Sequence, residues 1–264
     1  MEKRIIARGL LAGALAGVLA FVFARIFVEP VIGHAIAYEY GRADAEAALG
    51  AHEHEMEVFT RGVQANIGMG FGVLAFAVAM GALFAVAFVV AHGRVGTLAP
   101  RAMALLMAAG AFGAIYLVPF LKYPANPPSI GNPETIADRT GLYLLMVLAS
   151  LVLAATVFWL GRRLAPRLGA FGATFAAAGT YLVAVGVVMF VLPPVAETPK
   201  PLRDGSGTIV YPGFPADDLY HFRLYSLGTQ FVLWATIGVV FAVLISRLLD
   251  PGSRTEQAQE SVGA

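Results

Sequence analysis

Cysteine is absent from the 264-residue chain, which removes disulfides, thiolate metal sites and Cys nucleophiles together. Charge is also scarce, at 13% Asp, Glu, Lys and Arg. No G-x-S-x-G, H-E-x-x-H or P-loop occurs, so the common hydrolase and nucleotide-hydrolysing arrangements are missing. No basic run with interleaved aromatics appears, and nucleic-acid binding has no footprint. What fills the chain instead is apolar: 58% hydrophobic residues and a mean hydropathy of +0.74 place it among membrane proteins.

Crossing the hydrocarbon core takes about 20 mostly apolar residues. Six segments qualify: Ile5 to Val28, Ile67 to Ala91, Arg101 to Leu121, Gly141 to Leu160, Leu168 to Leu192 and Leu224 to Leu249. None has a formal charge at mid-depth, which argues against a proton relay through the bilayer. The first is longer than a signal-peptide core and lacks a convincing cleavage site, so it reads as a retained span.

Lys and Arg cluster around alternate connections. Lys3, Arg4, Arg8, Arg94, Arg101, Arg162, Arg163, Arg167, Arg247 and Arg254 lie on one side with four acids. The other side has seven bases against thirteen acids, a net of −6. The basic side is expected to be cytoplasmic. The expected fold is therefore all-α: a polytopic membrane helix bundle of six transmembrane helices in three hairpins, with both termini cytoplasmic. One membrane domain covers 1–251, its extracytoplasmic loops at 29–66, 122–140 and 193–223, and the small polar stretch 252–264 reads as a disordered tail. Each outer loop has proline near its start and arginine near its end, a weak threefold repeat.

Gly9, Gly13 and Gly17 recur every four residues, and Gly172, Gly179 and Gly186 every seven. Each set clears a groove for close helix approach, inside the chain or with another subunit, so a homo-oligomer is one expectation. Met80, Met107, Met146 and Met189 lie in four different spans. They suit Cu(I), but equally suit gap-filling in an apolar core. Arg25 and Glu29 are four apart and can pair on one helix face.

Candidate ligands for a divalent ion sit in the outer loops. The first contains His34 and the run His52, Glu53, His54, Glu55, Glu57, and imidazole with carboxylate suits Co²⁺, Ni²⁺ and Zn²⁺. On a helix His52 and His54 diverge by about 200°, whereas Glu53 and Glu57 share a face. The third loop contributes Asp217, Asp218 and His221, spaced so that His221 stacks above both acids on a helical turn. A solvated acidic face and an interfacial helix start are the alternatives for these two stretches. The middle loop is stiff: Pro124, Pro127, Pro128 and Pro133 each fix φ and remove a donor. Pro124, Asn126, Pro127, Pro128 and Arg139 form an expected structural rim, with Arg139 tied to neighbouring acids.

Three stretches together carry a family resemblance: RGLLAGALAGVLAFVFARIFVEP followed by AIAYE; LKYPANPPSIGNPETIADRTG; and FPADDLYHFR leading to Trp234. The chain resembles the CbtA family of predicted cobalt transporter subunits over nearly its whole length, the YPANPP loop being the most specific part. The resemblance implies a non-enzymatic, multi-pass protein of the bacterial inner membrane that takes up Co²⁺ for cobalamin synthesis. Ni²⁺ or another divalent ion is the alternative cargo, and no cofactor is permanently bound. It also implies a small single-span, His-bearing partner of the CbtB type. The family is generally described with five spans, where the charge count here gives six. A non-transporting membrane scaffold for another transporter subunit is the alternative function.

Overall fold

The computed structural model describes residues 1–50, 60–94, 96, 98–128, 130–131, 135–195 and 197–249. Its helices are α1 (Glu2–Phe23), α2 (Glu29–Ala48), α3 (Arg61–Val63), α4 (Met69–Ala91), α5 (Pro100–Ala111), α6 (Val118–Lys122), α7 (Ile136–Val191) and α8 (Ala216–Leu249), with short strands β1 (Leu202–Arg203) and β2 (Ile209–Tyr211). Three π-helical turns, Ala24–Val28, Gln64–Gly68 and Phe112–Leu117, join α1 to α2, α3 to α4 and α5 to α6. Five of the resulting helices are long and apolar enough to cross a membrane.

The π turns explain why two prolines do not end their helices. A proline ring collides with the carbonyl four residues earlier; for Pro30 and Pro119 those carbonyls belong to Ile26 and Ile115, inside π turns. The wider register there leaves room for the ring. As a result the first helix runs unbroken from Glu2 to Ala48, and the expected outer loop at 29–66 is helical through its first half. In the second π turn Asn66 Nδ2 donates to the Gly62 carbonyl at 2.9 Å, and Asn66 Oδ1 accepts from Arg25 Nε at 3.0 Å. Arg25 thus reaches across to the second apolar helix, rather than only down its own face.

The expected fourth and fifth spans are two successive helices within the 56-residue stretch α7, parted by non-helical backbone at Gly169. As a straight rod it would run roughly 84 Å, with Ser150 and Tyr181 about 46 Å apart. Instead their hydroxyl oxygens lie 2.7 Å from each other, and a Cβ on Gly161 would sit 3.3 Å from that of Ala177. The helix therefore doubles back. The reversal falls at Gly169, where φ is 71° and ψ 167°, a conformation glycine adopts without Cβ strain. Pro166, three residues before it, removes a backbone donor and weakens the helix there. Gly141 to Leu160 and Leu168 to Leu192 are the two antiparallel limbs, and Met146 and Val185 pack between them with Met189 at the margin.

The chain divides into two compact units. One contains α1, α4, α5 and residues 228–249 of α8. Here α1 lies antiparallel against α4 with almost no side chain between: a Cβ on Gly9 would meet the Gly81 carbonyl, one on Gly13 the Ala77 carbonyl and Val78 Cα, and one on Gly17 the side chains of Ala77 and Leu74. The glycine groove predicted on the first span is filled from within the chain. The later part of α8 packs on the same pair: Arg8 Nε donates to the Leu244 carbonyl at 3.0 Å, and Phe241 packs edge-on against Phe84 and Phe88, each at 5.2 Å between ring centres. The groove of Gly172, Gly179 and Gly186 differs, since a Cβ on Gly179 or Gly186 would have nothing within 4 Å.

The other unit contains α2, α6, α7, the β1–β2 hairpin and residues 216–227 of α8. Among the described residues its three polar connections are built differently: helix α2 in the first, an irregular proline-rich turn in the second, and a β-hairpin leading into α8 in the third. The hairpin closes on Asp204, whose carboxylate accepts from the Ser206 hydroxyl and the backbone N–H of Thr208 and Ser206. The Ser206 hydroxyl, with those amides, holds the carboxyl below its ordinary range.

Two measurements check the packing. Gly13→Ala places a methyl against backbone and is expected to cost about 1–3 kcal/mol in detergent unfolding, while Gly179→Ala is expected to be neutral or mildly stabilising through helix propensity. Tyr181→Phe strands the fully buried Ser150 hydroxyl and is expected to cost about 0.6 kcal/mol, the usual size of an interhelical hydrogen bond in a membrane protein. That loss should vanish in a Ser150→Ala background.

Candidate functional site

One face of α2 sets the geometry. Ala35, Tyr38, Gly41 and Arg42 fall three or four residues apart and so share a side of the helix. Ala35 and Tyr38 pack with Ile130 of the proline-rich turn and Phe214 of the third connection. Tyr38 Oη donates to the Pro212 carbonyl at 3.0 Å, Tyr211 Oη to the Tyr38 carbonyl at 3.2 Å, and Arg42 Nη1 to the Lys200 carbonyl at 2.8 Å. Gly41 is needed here because a Cβ would run into the Tyr211 hydroxyl. Four residues before Tyr38 on this face comes His34. Docking α2 against the third connection therefore carries His34 to the first turn of α8.

There His34 Nδ1 lies 2.9 Å from Asp218 Oδ1. An ionised carboxylate only accepts, so Nδ1 carries the proton and the lone pair of the neutral ring is on Nε2. The histidine is 65% exposed and Asp218 23%, so the pair opens to solvent through the imidazole. Asp217 is exposed beside it. His221 makes ring contacts instead, stacked on Tyr225 at 5.7 Å and edge-on to Tyr220 at 5.5 Å. Among the described residues no three or more His, Asp or Glu side chains gather as a metal-holding group. Of the predicted ligands, then, His34 and Asp218 are brought together, and Asp217 and His221 do not complete a set with them. His52, Glu53, His54 and Glu57 lie outside the described residues.

The proline-rich turn is held from three directions. Tyr123, buried, donates to the Pro193 carbonyl at 2.9 Å. Arg223 Nε donates to the Ala125 carbonyl at 3.2 Å and its Nη2 to Asn126 Oδ1 at 2.9 Å. Ile130 N–H closes a turn onto the Pro127 carbonyl at 3.1 Å. Pro124 and Pro127 are at least partly covered, and Pro128 is exposed. Arg139 pairs with Glu197 at 2.7 Å, and Thr135 Oγ1 donates to the other Glu197 oxygen. Glu197 is only 8% exposed, and both its oxygens are bonded. Gly131 leaves room for this pair, since its Cβ would stand 3.0 Å from Arg139 Nη1 and 3.2 Å from Glu197 Oε2.

Sequence reasoning did not single out Glu197 or Arg223 as partners of the rim. Their bonds to Arg139 and Asn126 span 58 and 97 residues, a separation that no local spacing encodes. The available signal was coarser: Arg139 in a connection beside acid-bearing loops.

No curated protein and no solved structure matches the chain. The family model described as "Probable cobalt transporter subunit (CbtA)" matches residues 2–246. With five membrane-length apolar helices and nearly the whole chain within that match, the protein belongs to the CbtA family of probable cobalt transporter subunits.

Proposed function

We propose that this chain is the multi-pass subunit of a Co²⁺ uptake system in the bacterial inner membrane, supplying cobalamin synthesis and acting beside a small single-span, His-bearing partner of the CbtB type. Family membership supports the transport of cobalt and the dependence on another subunit. Within the chain, the observation that carries the reading is the His34–Asp218 contact. A carboxylate that accepts from one imidazole nitrogen fixes the ring and makes the other nitrogen a better ligand. His34 Nε2 is thus the direct metal contact and Asp218 the residue that orients it. Asp217 and His221, along with His52, His54, Glu53 and Glu57, supply further donors as a hydrated ion arrives. A negative outer face concentrates cations before any of them binds.

The same reading sets topology. Both limbs of α7 cross the bilayer, so that together with the other four long helices the chain makes six crossings and returns both termini to the cytoplasm. The absence of cysteine makes this directly measurable. Ser206→Cys should react with a membrane-impermeant maleimide in intact spheroplasts, and Arg94→Cys and Arg163→Cys only after lysis. Labelling of Arg163→Cys from outside would defeat the six-crossing arrangement.

For the metal contact, His34→Ala should lower whole-cell Co²⁺ accumulation at limiting metal, provided that membrane levels hold. Asp218→Asn should keep maximal accumulation but raise the Co²⁺ needed for half of it by about tenfold or more, the usual cost of losing an orienting carboxylate. Replacing His34, His52, His54 and His221 together should abolish uptake. Accumulation unchanged in that quadruple variant would remove the proposed site.

A further inference from the structure

Within the unit formed by α6, α7, the hairpin and the start of α8, the proline-rich turn covers a cleft of about 660 Å³. We propose that this cleft binds an amphiphilic organic anion, a carboxylate or phosphate group on an apolar or aromatic body, with Arg223 as the principal charge contact. Its volume falls in the range of small-molecule sites, about 300–1,000 Å³, and such sites combine apolar walls with a few convergent polar groups. The walls here are Tyr116, Phe120, Tyr143 and Leu144, and the charged groups are Arg139, Arg223 and Glu197.

The charges decide which ligand fits. Glu197 is saturated by Arg139 and Thr135, so its negative charge is already matched. Arg223 bonds only neutral acceptors, the Ala125 carbonyl and the Asn126 amide oxygen. Those bonds engage Nε and Nη2, and among the described residues Nη1 has no partner. Among its described lining residues the cleft therefore has a net charge of +1, with the Arg223 guanidinium, half-buried, lining the same cleft as the aromatic rings, where solvent screening is reduced. A bare divalent cation is repelled. An oxyanion is attracted, and guanidinium presents a planar donor array suited to carboxylate or phosphate. The aromatic walls then take up the apolar part of the same molecule.

That chemistry has two sources, a soluble aromatic acid and the headgroup region of an anionic phospholipid. The full chain, purified in neutral detergent, would be titrated with 1-naphthoate and, separately, with dioleoyl phosphatidylglycerol against dioleoyl phosphatidylcholine. Thermal unfolding and native mass spectrometry report binding. Saturable binding of naphthoate identifies a soluble ligand, and selective retention of phosphatidylglycerol identifies a lipid. Either should weaken by about tenfold or more in Arg223→Gln, as expected for loss of a charged hydrogen bond. Arg223 also holds the turn, so a second variant guards against misfolding. Thr140 lines the cleft and is exposed; Thr140→Glu should fold normally yet abolish binding, and added Co²⁺ should not compete. The proposal is overturned if neither probe binds, if Thr140→Glu binds as well as the parent, or if Co²⁺ displaces the probe. These results are independent of Co²⁺ accumulation, so this site and the uptake reading succeed or fail separately.

Discussion

Backbone hydrogen bonding is the constraint on which everything else in this molecule depends. Hydrocarbon offers no partner to an exposed N–H or C=O, so a crossing segment must satisfy its backbone internally. Glu2 to Ala48 and Pro100 to Lys122 each continue past a proline with the help of a π turn, so that the neighbouring backbone groups stay paired within the helix. Irregular backbone falls at the connections between helices, such as the proline-rich turn, the β-hairpin and the reversal at Gly169. Where helices approach, apolar matching supplies little drive in lipid, and contact must come from backbone proximity and polar pairs. Gly9, Gly13 and Gly81 provide the first kind, Ser150 with Tyr181 the second.

The same constraint explains how the polar residues are placed. His34 is delivered on a helix, α2, rather than on a loop. Its register is fixed by Tyr38, Gly41 and Arg42 on the same face, each engaged with the third connection. The His34–Asp218 contact is a by-product of that docking, and its precision comes from the packing of Tyr38, Gly41 and Arg42. A rigid helix positions a donor better than a loop does. The stiff prolines of the middle turn serve a related end, since Asn126 and the Ala125 carbonyl are held where Arg223 can bond both.

Helical class, apolar spans and the packing role of the first glycine groove were legible because each rests on local periodicity. The break at Gly169 was legible only as a brief connection, since Pro166 and the neighbouring arginines mark a turn without saying whether the helices flanking it read as one or two. Pro30 misleads at the level of sequence. Proline after an apolar run usually announces a helix end, and nothing local to the sequence announces a π turn that spares it. Partners far apart in sequence were invisible for a simpler reason: His34 with Asp218, Arg139 with Glu197 and Arg223 with Asn126 depend on how connections dock. Composition could bring acids and histidines to one set of loops, but could not choose which pairs would meet.

That choice has an electrostatic consequence. Asp217 and Asp218 stand at the start of a helix that also contains Arg223, five residues beyond Asp218, and an uncommitted arginine near a carboxylate would neutralise it. Here Arg223 is committed to the proline-rich turn and Arg139 to Glu197, while Arg42 is tied to Glu46 and the Lys200 carbonyl. None of these three arginines bonds the Asp218 carboxylate, Arg223 spending Nε and Nη2 on the turn, and that carboxylate is left to the imidazole of His34. Separation of the two charge types follows from the fold: the guanidinium groups of Arg139 and Arg223 are drawn in to brace the turn, and the acid–imidazole pair opens to solvent through His34.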